Sequence, residues 1–227
     1  MGERVEVADD VGEPSSREKI LDAAELLFAQ RGFSGVGMRE VAEAVGLSKS
    51  SLFHHFRSKV ELYAAVAARI LSVFEERTAE ALTSPGDAFV RFDRWLEAMI
   101  ETLAERPSRA RLLLRSLFED DDLAGESEEE KEVDEIIHRL FASVGRMLRE
   151  GMEQGLFRLG SIPHLLQSLI GLLVYHFASG EFGETLLRQS LFSPAAVRKR
   201  KEEVKALLYC GVLAEPLRAR VRTDVES

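Results

Sequence analysis

Cysteine is almost missing: Cys210 stands alone in 227 residues. That excludes an intrachain disulfide framework and any Cys-rich zinc module. Proline is scarce, with six residues, and β-branched runs are few, which argues against a sandwich or barrel. Basic charge is also short, since 30 Lys and Arg face 39 Asp and Glu for a formal charge of −9. Met1 to Glu13 offers neither a basic start nor an apolar stretch, so it does not read as a secretory signal. What is present is helix-forming composition rich in Ala, Leu, Glu and Arg. Apolar residues make up 45%, which excludes wholesale disorder. The length allows one large or two small domains, each with a real core.

One stretch, Leu159 to Gly180, carries no formal charge and is long enough to span a bilayer. It also holds Pro163, His164, Gln167, Ser168, His176 and Ser179, and a lipid-facing segment would carry fewer polar groups. A buried helix in a soluble cytoplasmic protein is the expectation.

The negative charge is unevenly distributed. Residues 1–14 sum to −4, residues 15–60 to +2, and residues 61–227 to −7. No acidic residue lies between Ala44 and Val60, where Lys49, Arg57 and Lys59 sit. A short cationic region on an acidic body can neutralise phosphates while the body repels random polyanions.

The apolar pattern predicts helices throughout, an all-α fold with no strand and no repeat. Ser15 with Glu18 forms a capping box for a first helix, with Ser16 as a competing cap, and Arg31-Gly32 closes it. Met38 to Val45 is a short second helix, Gly46-Leu47 a tight turn, and Lys49 to Phe56 a third helix capped by Ser48. Ser58 with Glu61 reads as a second capping box and opens a long fourth helix. Further helices are expected at Asp87 to Ala104, Ser108 to Phe118, Glu132 to Gln154, Leu165 to Ala178 and from Ser193-Pro194 to residue 213. Asp120 to Glu130 reads as an acidic connector, and Gly180 to Phe192 as a loop.

Two short amphipathic helices about a glycine turn have helix-turn-helix spacing, although a plain helical corner has the same spacing. The outer side of the third helix favours the former: Lys49, Ser50, Ser51, Phe53 and His54 combine low bulk with donors for phosphates and base edges. The run from Ser16 to Ala24 through Phe28, then Gly32-Phe33, Arg39-Glu40-Val41-Ala42, Gly46-Leu47-Ser48 and Leu52 to Leu62, resembles the N-terminal domain of TetR/AcrR-type transcriptional regulators. The resemblance is continuous over residues 16–62. Beyond it, only the layout of a helical effector and dimerisation body is similar, with Gly151 to Arg158 a weaker echo.

The resemblance implies a homodimer whose third helices enter successive major grooves of a palindromic operator, with repression relieved by a small molecule in the helical body. It places Lys49 and Ser50 at base-contacting positions and Arg39 within reach of a base or phosphate. Ser34, Ser51, His54 and Lys59 fall at phosphate-contacting positions, and Ser48 and Phe53 complete the DNA-facing set. Phe53 stands where the family carries tyrosine, which removes a phenolic hydrogen bond. Val36-Gly37 replaces a hydroxyl-bearing pair before the second helix, leaving Gly37 as N-cap. The implied domains are an acidic tail (1–14), the DNA-binding domain (15–60) and the effector and dimerisation domain (61–227).

Apolar residues in the middle helices, mostly aromatic or methionine, namely Phe89, Phe92, Trp95, Met99, Leu113, Phe118, Phe141 and Tyr175, are either ordinary core or the lining of a hydrophobic effector pocket. His176, with Arg111, Arg115 and Gln167 as alternatives, is a candidate polar anchor. The helices near 162–178 and 194–213 hold more apolar surface than one chain obviously covers, which fits a four-helix interface between two copies; the alternative is that both are covered within the monomer.

His54 and His55 lack a third ligand for a metal, and one surface ring with one packed ring is expected. Arg198-Lys199-Arg200-Lys201 reads as a solvated face pairing with Glu202 and Glu203. No P-loop, Gly-x-Ser-x-Gly or His-Glu-x-x-His motif occurs. Neither catalysis nor a cofactor is expected. The rival reading is a helical carrier or enzyme without DNA binding.

Overall fold

The computed structural model describes residues 15–116 and 127–215. The described residues form ten helices: α1 Ser16–Arg31, α2 Met38–Ala44, α3 Lys49–His55, α4 Lys59–Thr83, α5 Ala88–Glu105, α6 Pro107–Ser116, α7 Glu128–Glu153, α8 Ile162–Ala178, α9 Glu181–Leu187 and α10 Pro194–Val212. Their only β feature is an isolated antiparallel bridge, Phe157 to Leu213. The all-α class is therefore as expected. The proposed tail, residues 1–14, lies outside the described residues.

Local chemistry sets the helix starts. Ser15 and Glu18 form a reciprocal capping box on α1, and the Ser58 hydroxyl accepts from the Glu61 amide at the head of α4. The start of α7 corrects the sequence reading. Ser127 and Glu130 make a second reciprocal box, so Glu128, Glu129 and Glu130 are the acidic first turn of α7 and not connector. Part of the expected loop 180–192 is the seven-residue helix α9.

α4 is the central strut. It packs most extensively on α7 and α5 and also meets α1, while α1 lies against α6. Ile20, Ala24 and Phe28 of α1 are buried, as are Leu62, Tyr63 and Val66 of α4. Phe28 and Phe33 each meet the Tyr63 ring edge-on, at centroid distances of 5.0 and 5.3 Å.

A polar junction joins the N-terminal helices to the body. Glu25 of α1, 3% exposed, accepts from the Arg69 guanidinium of α4 at 2.8 Å and from the Ser108 hydroxyl of α6 at 2.5 Å. Arg69 also holds Asp22 at 2.8 Å. A buried carboxylate needs such partners to offset its desolvation.

At the other end, Phe157 packs its ring onto Gly151, where an added Cβ would lie 2.2 Å from the ring. Backbone bonds from Arg158 N–H to the Val212 carbonyl (2.8 Å) and from Ala214 N–H to the Leu156 carbonyl (2.9 Å) stitch the end of α7 to the end of α10.

Three expectations are corrected here. α8 is not a buried helix within the chain: only Leu169, Leu173 and Phe177 are buried, and Tyr175 on its other side is exposed. The basic run 198–201 is not a uniformly solvated face. Lys199 does pair with Glu202 and Glu203, but Arg200 is half-buried and donates to the Leu172 carbonyl at 2.7 Å, and Lys201 pairs with Glu101 of α5. With Lys205 bridging Asp93 and Glu97, these contacts hold α10 against α5. His54 and His55 do not split into one surface and one packed ring, because both are exposed.

No single described helix is long and apolar enough to cross a membrane. α8 with α9 passes on length and composition together, but the two are bent by 90° at their junction.

Candidate nucleic-acid interface and helical cavity

The α2–turn–α3 unit is fixed by backbone geometry. Gly46 has φ +68°, the Gly46 N–H donates to the Glu43 carbonyl at 3.2 Å, and the Leu47 N–H reaches back to the Ala42 carbonyl at 2.9 Å. This is a glycine-terminated helix end that turns the chain directly into α3. Val41 and Ala42 of α2 are buried with Leu52 of α3 and Phe56, the residue that ends α3.

Burying Leu52 and Phe56 turns the opposite side of α3 outward. Ser48, Lys49, Ser50, Phe53 and His54 are exposed, and Ser51 is half-buried. The Ser48 hydroxyl accepts from the Ser51 amide at 3.1 Å and lies 2.9 and 2.8 Å from the Ser50 and Ser51 hydroxyls. The head of α3 is thus a cluster of three hydroxyls beside helix-terminal amides, a surface suited to anionic oxygens. The Lys49 ammonium sits 5.6 Å from the centroid of the Phe53 ring, so this phenylalanine supports the cation one turn away.

Arg39 is exposed at the start of α2 and paired with Glu43 at 2.8 Å, a surface bridge that a stronger anion can displace. Ser34 is exposed in the connector before α2. Lys59, at the first position of α4, donates to the Phe33 carbonyl at 3.0 Å and lies 4.1 Å from the Phe33 ring centroid. Its ammonium therefore fixes the connector that carries Ser34. All nine residues of the expected DNA-facing set lie on α2, α3, its N-cap, the head of α4 or the connector before α2.

The body encloses a cavity of about 530 Å³ walled by α4, α5, α6, α7 and α8. Of the expected lining, Trp95, Met99, Leu113 and Phe141 are there. Phe92 is not: it is fully buried between Trp95 and Phe157 as ordinary core. Phe89 packs edge-on against Tyr209 of α10 instead. Phe118 lies outside the described residues.

Tyr175 and His176 belong to a separate cleft of about 280 Å³ shared with α9 and α10. There His176 is a poor anchor. Burial, and beside it the Arg200 charge, push its pKa from 6.5 down to about 4, so the ring is neutral. The alternative anchors also miss the cavity: Arg111 lies against Gly180, Arg115 reaches the Gln30 carbonyl of α1, and Gln167 is exposed. Sequence reasoning missed Tyr63, Phe74, Ile137, Leu169 and Glu130 as cavity residues. Periodicity marks a residue as inward without saying whether it meets a neighbour or a gap. No group of three or more His, Cys, Asp or Glu among the described residues is arranged to hold a metal.

Residues 20–66 match the family described as bacterial regulatory proteins, tetR family. Over 100 residues the chain is 34% identical to the HTH-type transcriptional activator FasR of Mycolicibacterium smegmatis, covering 44% of this chain and 46% of that one. Over 91 residues it is 36% identical to the HTH-type transcriptional repressor NemR of Escherichia coli, covering 40% and 45%. The chain thus spans about half the length of the curated relatives it matches. The solved structure of the ketosteroid transcriptional regulator KstR2 of Mycobacterium tuberculosis superposes on 90% of this chain and 98% of its own with a TM-score of 0.71, at 18% identity, which shows a shared fold. The likeness to TetR/AcrR-type regulators read from residues 16–62 stands on these matches. The relatives are transcriptional regulators, not enzymes.

Proposed function

We propose that this chain is a dimeric, ligand-responsive DNA-binding transcriptional regulator. In this reading it is a repressor that leaves a palindromic operator when a largely hydrophobic small molecule fills the helical body. The observation that carries it is the division of α3: Leu52 buried on one side, and Lys49, Ser50, Phe53 and His54 exposed on the other behind a three-serine N-terminus. That surface suits entry into a major groove, with Lys49 and Ser50 reading base edges and Ser34, Ser51, His54 and Lys59 meeting the backbone.

Dimerisation is supported by the uncovered apolar side of the body. Tyr175 of α8, Phe182, Leu186 and Leu187 of α9 and Leu207 of α10 are all exposed large hydrophobics, a concentration expected at an interface. Two copies paired through α8 and α10, with α9 at the rim, would present two α3 helices to half-sites about 34–36 Å apart. Binding through both is then a matter of effective concentration, lost once the separation is wrong.

The route from ligand to DNA runs along α6 and α4. Leu113 and Ser116 of α6 line the cavity, and Ser108 at its other end is bonded to Glu25 of α1. A ligand that moves α6 moves the partner of a buried carboxylate in the DNA-binding domain.

Fluorescence anisotropy with duplex DNA from upstream of the chain's own gene, over a range of salt, tests the reading. A steep salt dependence with two protomers per site is expected. Indifference to duplex DNA, or solitary protomers at the binding concentration, overturns it.

A further inference from the structure

The cleft between α8, α9 and α10 holds a cation with no anion beside it. Arg200 is half-buried there, and no carboxylate among the described residues pairs with it. Its Nη2 donates to the Leu172 carbonyl at 2.7 Å, and its Nε is buried with no hydrogen-bond partner. Nε2 of the neighbouring His176 is buried and unpartnered as well, and a ring held neutral supplies no counter-charge. Glu203 also lines the cleft, but it is taken by Lys199 at 2.9 Å. The cations further along α10 differ from Arg200: Lys201 pairs with Glu101, and Lys205 with Asp93 and Glu97. A desolvated guanidinium bonded to one carbonyl is an incomplete arrangement, because a close anion is what offsets its removal from water.

An anion of the right kind stands on the same face. Glu181 opens α9, is exposed, and pairs with no cation among the described residues. It sits beside Phe182, which with Leu186 one turn on forms the exposed apolar side of α9. Glu184, two residues past Phe182, falls on the other side of the helix and is half-buried. α9 is a firm platform for these side chains. Gly183 packs so closely that an added Cβ would stand 2.2 Å from the Ser179 hydroxyl and 3.1 Å from the Leu191 side chain.

A two-fold interface uses one surface patch twice, so residue i of one copy meets j of the other and j meets i. A patch that carries both an unpaired cation and an unpaired carboxylate is complementary to itself. Here the two charges adjoin the exposed apolar surface of Tyr175, Phe182, Leu186 and Leu187, which would keep water from a bridge formed across it. We infer that α9 of a second copy closes the cleft, with the partner's Glu181 carboxylate on the Arg200 guanidinium, and that this pair forms twice about the axis. The inference rests on the dimer proposed above and adds the charge pair that fixes its register and choice of partner.

Sedimentation equilibrium of the full chain tests it. Glu181→Arg sets like charges against each other at both copies of the contact. Glu181 is exposed and bonded to no other side chain among the described residues, so the protomer fold is preserved, as circular dichroism would record. The dimer dissociation constant should rise on the order of a hundredfold, since the pair is lost twice. Arg200→Glu should act the same way. Mixing the two variants supplies the control for folding. A mixed dimer holds one native pair and one reversed pair, so it should form within about tenfold of the wild-type affinity while each variant alone stays dissociated. Resonance energy transfer between dyes on the N-terminal amines reads the mixing. Where Arg200→Glu fails to fold, Arg200→Gln and Glu181→Gln take its place, and the double variant should dimerise no more weakly than either single one.

A Glu181→Arg dimer as tight as wild type overturns the inference while the dimer reading survives. So does a mixture as dissociated as its components, or a neutral double variant whose losses add. If acetate or phosphate stabilises wild-type protomers through Arg200 and dimerisation is indifferent to Glu181, the cleft seats a small anion and the inference falls. A wild-type chain that stays monomeric removes the dimer reading and the inference together. A mixed dimer that forms as expected in a chain indifferent to duplex DNA upholds the inference and removes the regulator reading.

Discussion

The hydroxyl of Ser108, at the head of α6, donates a 2.5 Å hydrogen bond to the carboxylate of Glu25 in α1. The two residues lie 83 positions apart in the chain, and the bond is buried. It is a direct polar connection between a cavity-flanking helix and the N-terminal helices that carry the proposed DNA-facing surface. Removing only the hydroxyl, in Ser108→Ala, leaves the Arg69 partner in place and should cost about 1 kcal/mol or slightly more. Glu25→Ala strips both Arg69 and Ser108 of their acceptor and should cost about 2–4 kcal/mol. Urea unfolding of the two variants gives the comparison; equal losses would mean that Arg69 finds another partner.

Lys49 is the exposed cation at the head of α3, supported by the Phe53 ring. Lys49→Ala should weaken operator binding by about 1–3 kcal/mol if the ammonium meets a base edge. Arg39→Ala should cost less, because its guanidinium must first leave Glu43. Anisotropy titrations on the operator and on a scrambled duplex separate the roles. A loss confined to the operator marks a base contact, and an equal loss on both marks a phosphate contact.

Gly46 and Gly37 flank α2 and should respond in opposite directions. An added Cβ at Gly46 meets nothing within 4 Å, yet φ is +68°, so Gly46→Ala is penalised by backbone conformation alone, about 1–2 kcal/mol. Gly37 caps α2 with no side-chain hydrogen bond and also has open space around it. Gly37→Ser should therefore stabilise by a few tenths of a kcal/mol. Thermal unfolding of both variants checks the signs.

Acid should destabilise the α8–α10 region through His176. Its imidazole Nε2 is buried without a hydrogen-bond partner, and its pKa falls from 6.5 to about 4. A histidine held neutral in the fold binds fewer protons than in the unfolded chain. Its contribution is complete above about pH 6.5 and is lost as pH falls toward 4. The effect should be on the order of 1 kcal/mol, since part of the ring remains hydrated. The stability difference between wild type and His176→Gln should move against the wild type across that window; a difference flat with pH would contradict it.

The N-terminal part of the fold was legible in the sequence because its signals are local. Ser15 with Glu18, the Gly46 turn and the Ser48 cap each act within four residues and are present in the structure, whereas the box expected at Ser58 and Glu61 is only half formed: the Ser58 hydroxyl accepts from the Glu61 amide, but the Glu61 carboxylate accepts from the Arg57 N–H. The same signal at Ser127 and Glu130 was there to be read but was masked by the acidic run around it. The cavity was half legible. Trp95 and Phe92 lie three residues apart on α5 and are both buried, yet one lines the space and the other plugs the core against Phe157. That choice depends on what α7 and α8 leave unfilled, a long-range property that spacing along one helix does not carry. α8 misled for a related reason: an apolar composition calls for cover without saying whether that cover comes from the same chain.

The paired backbone bonds between residues 156–158 and the end of α10 give the C-terminal segment a structural duty out of proportion to its length. Cutting the chain before Val212 would strip Leu156 and Arg158 of their partners and unroof Phe157, whose ring fills the hollow over Gly151. Deletion series should therefore treat Ala214 as the inner limit, and a shortened protein that aggregates would report a lost clasp, not a lost DNA-reading surface.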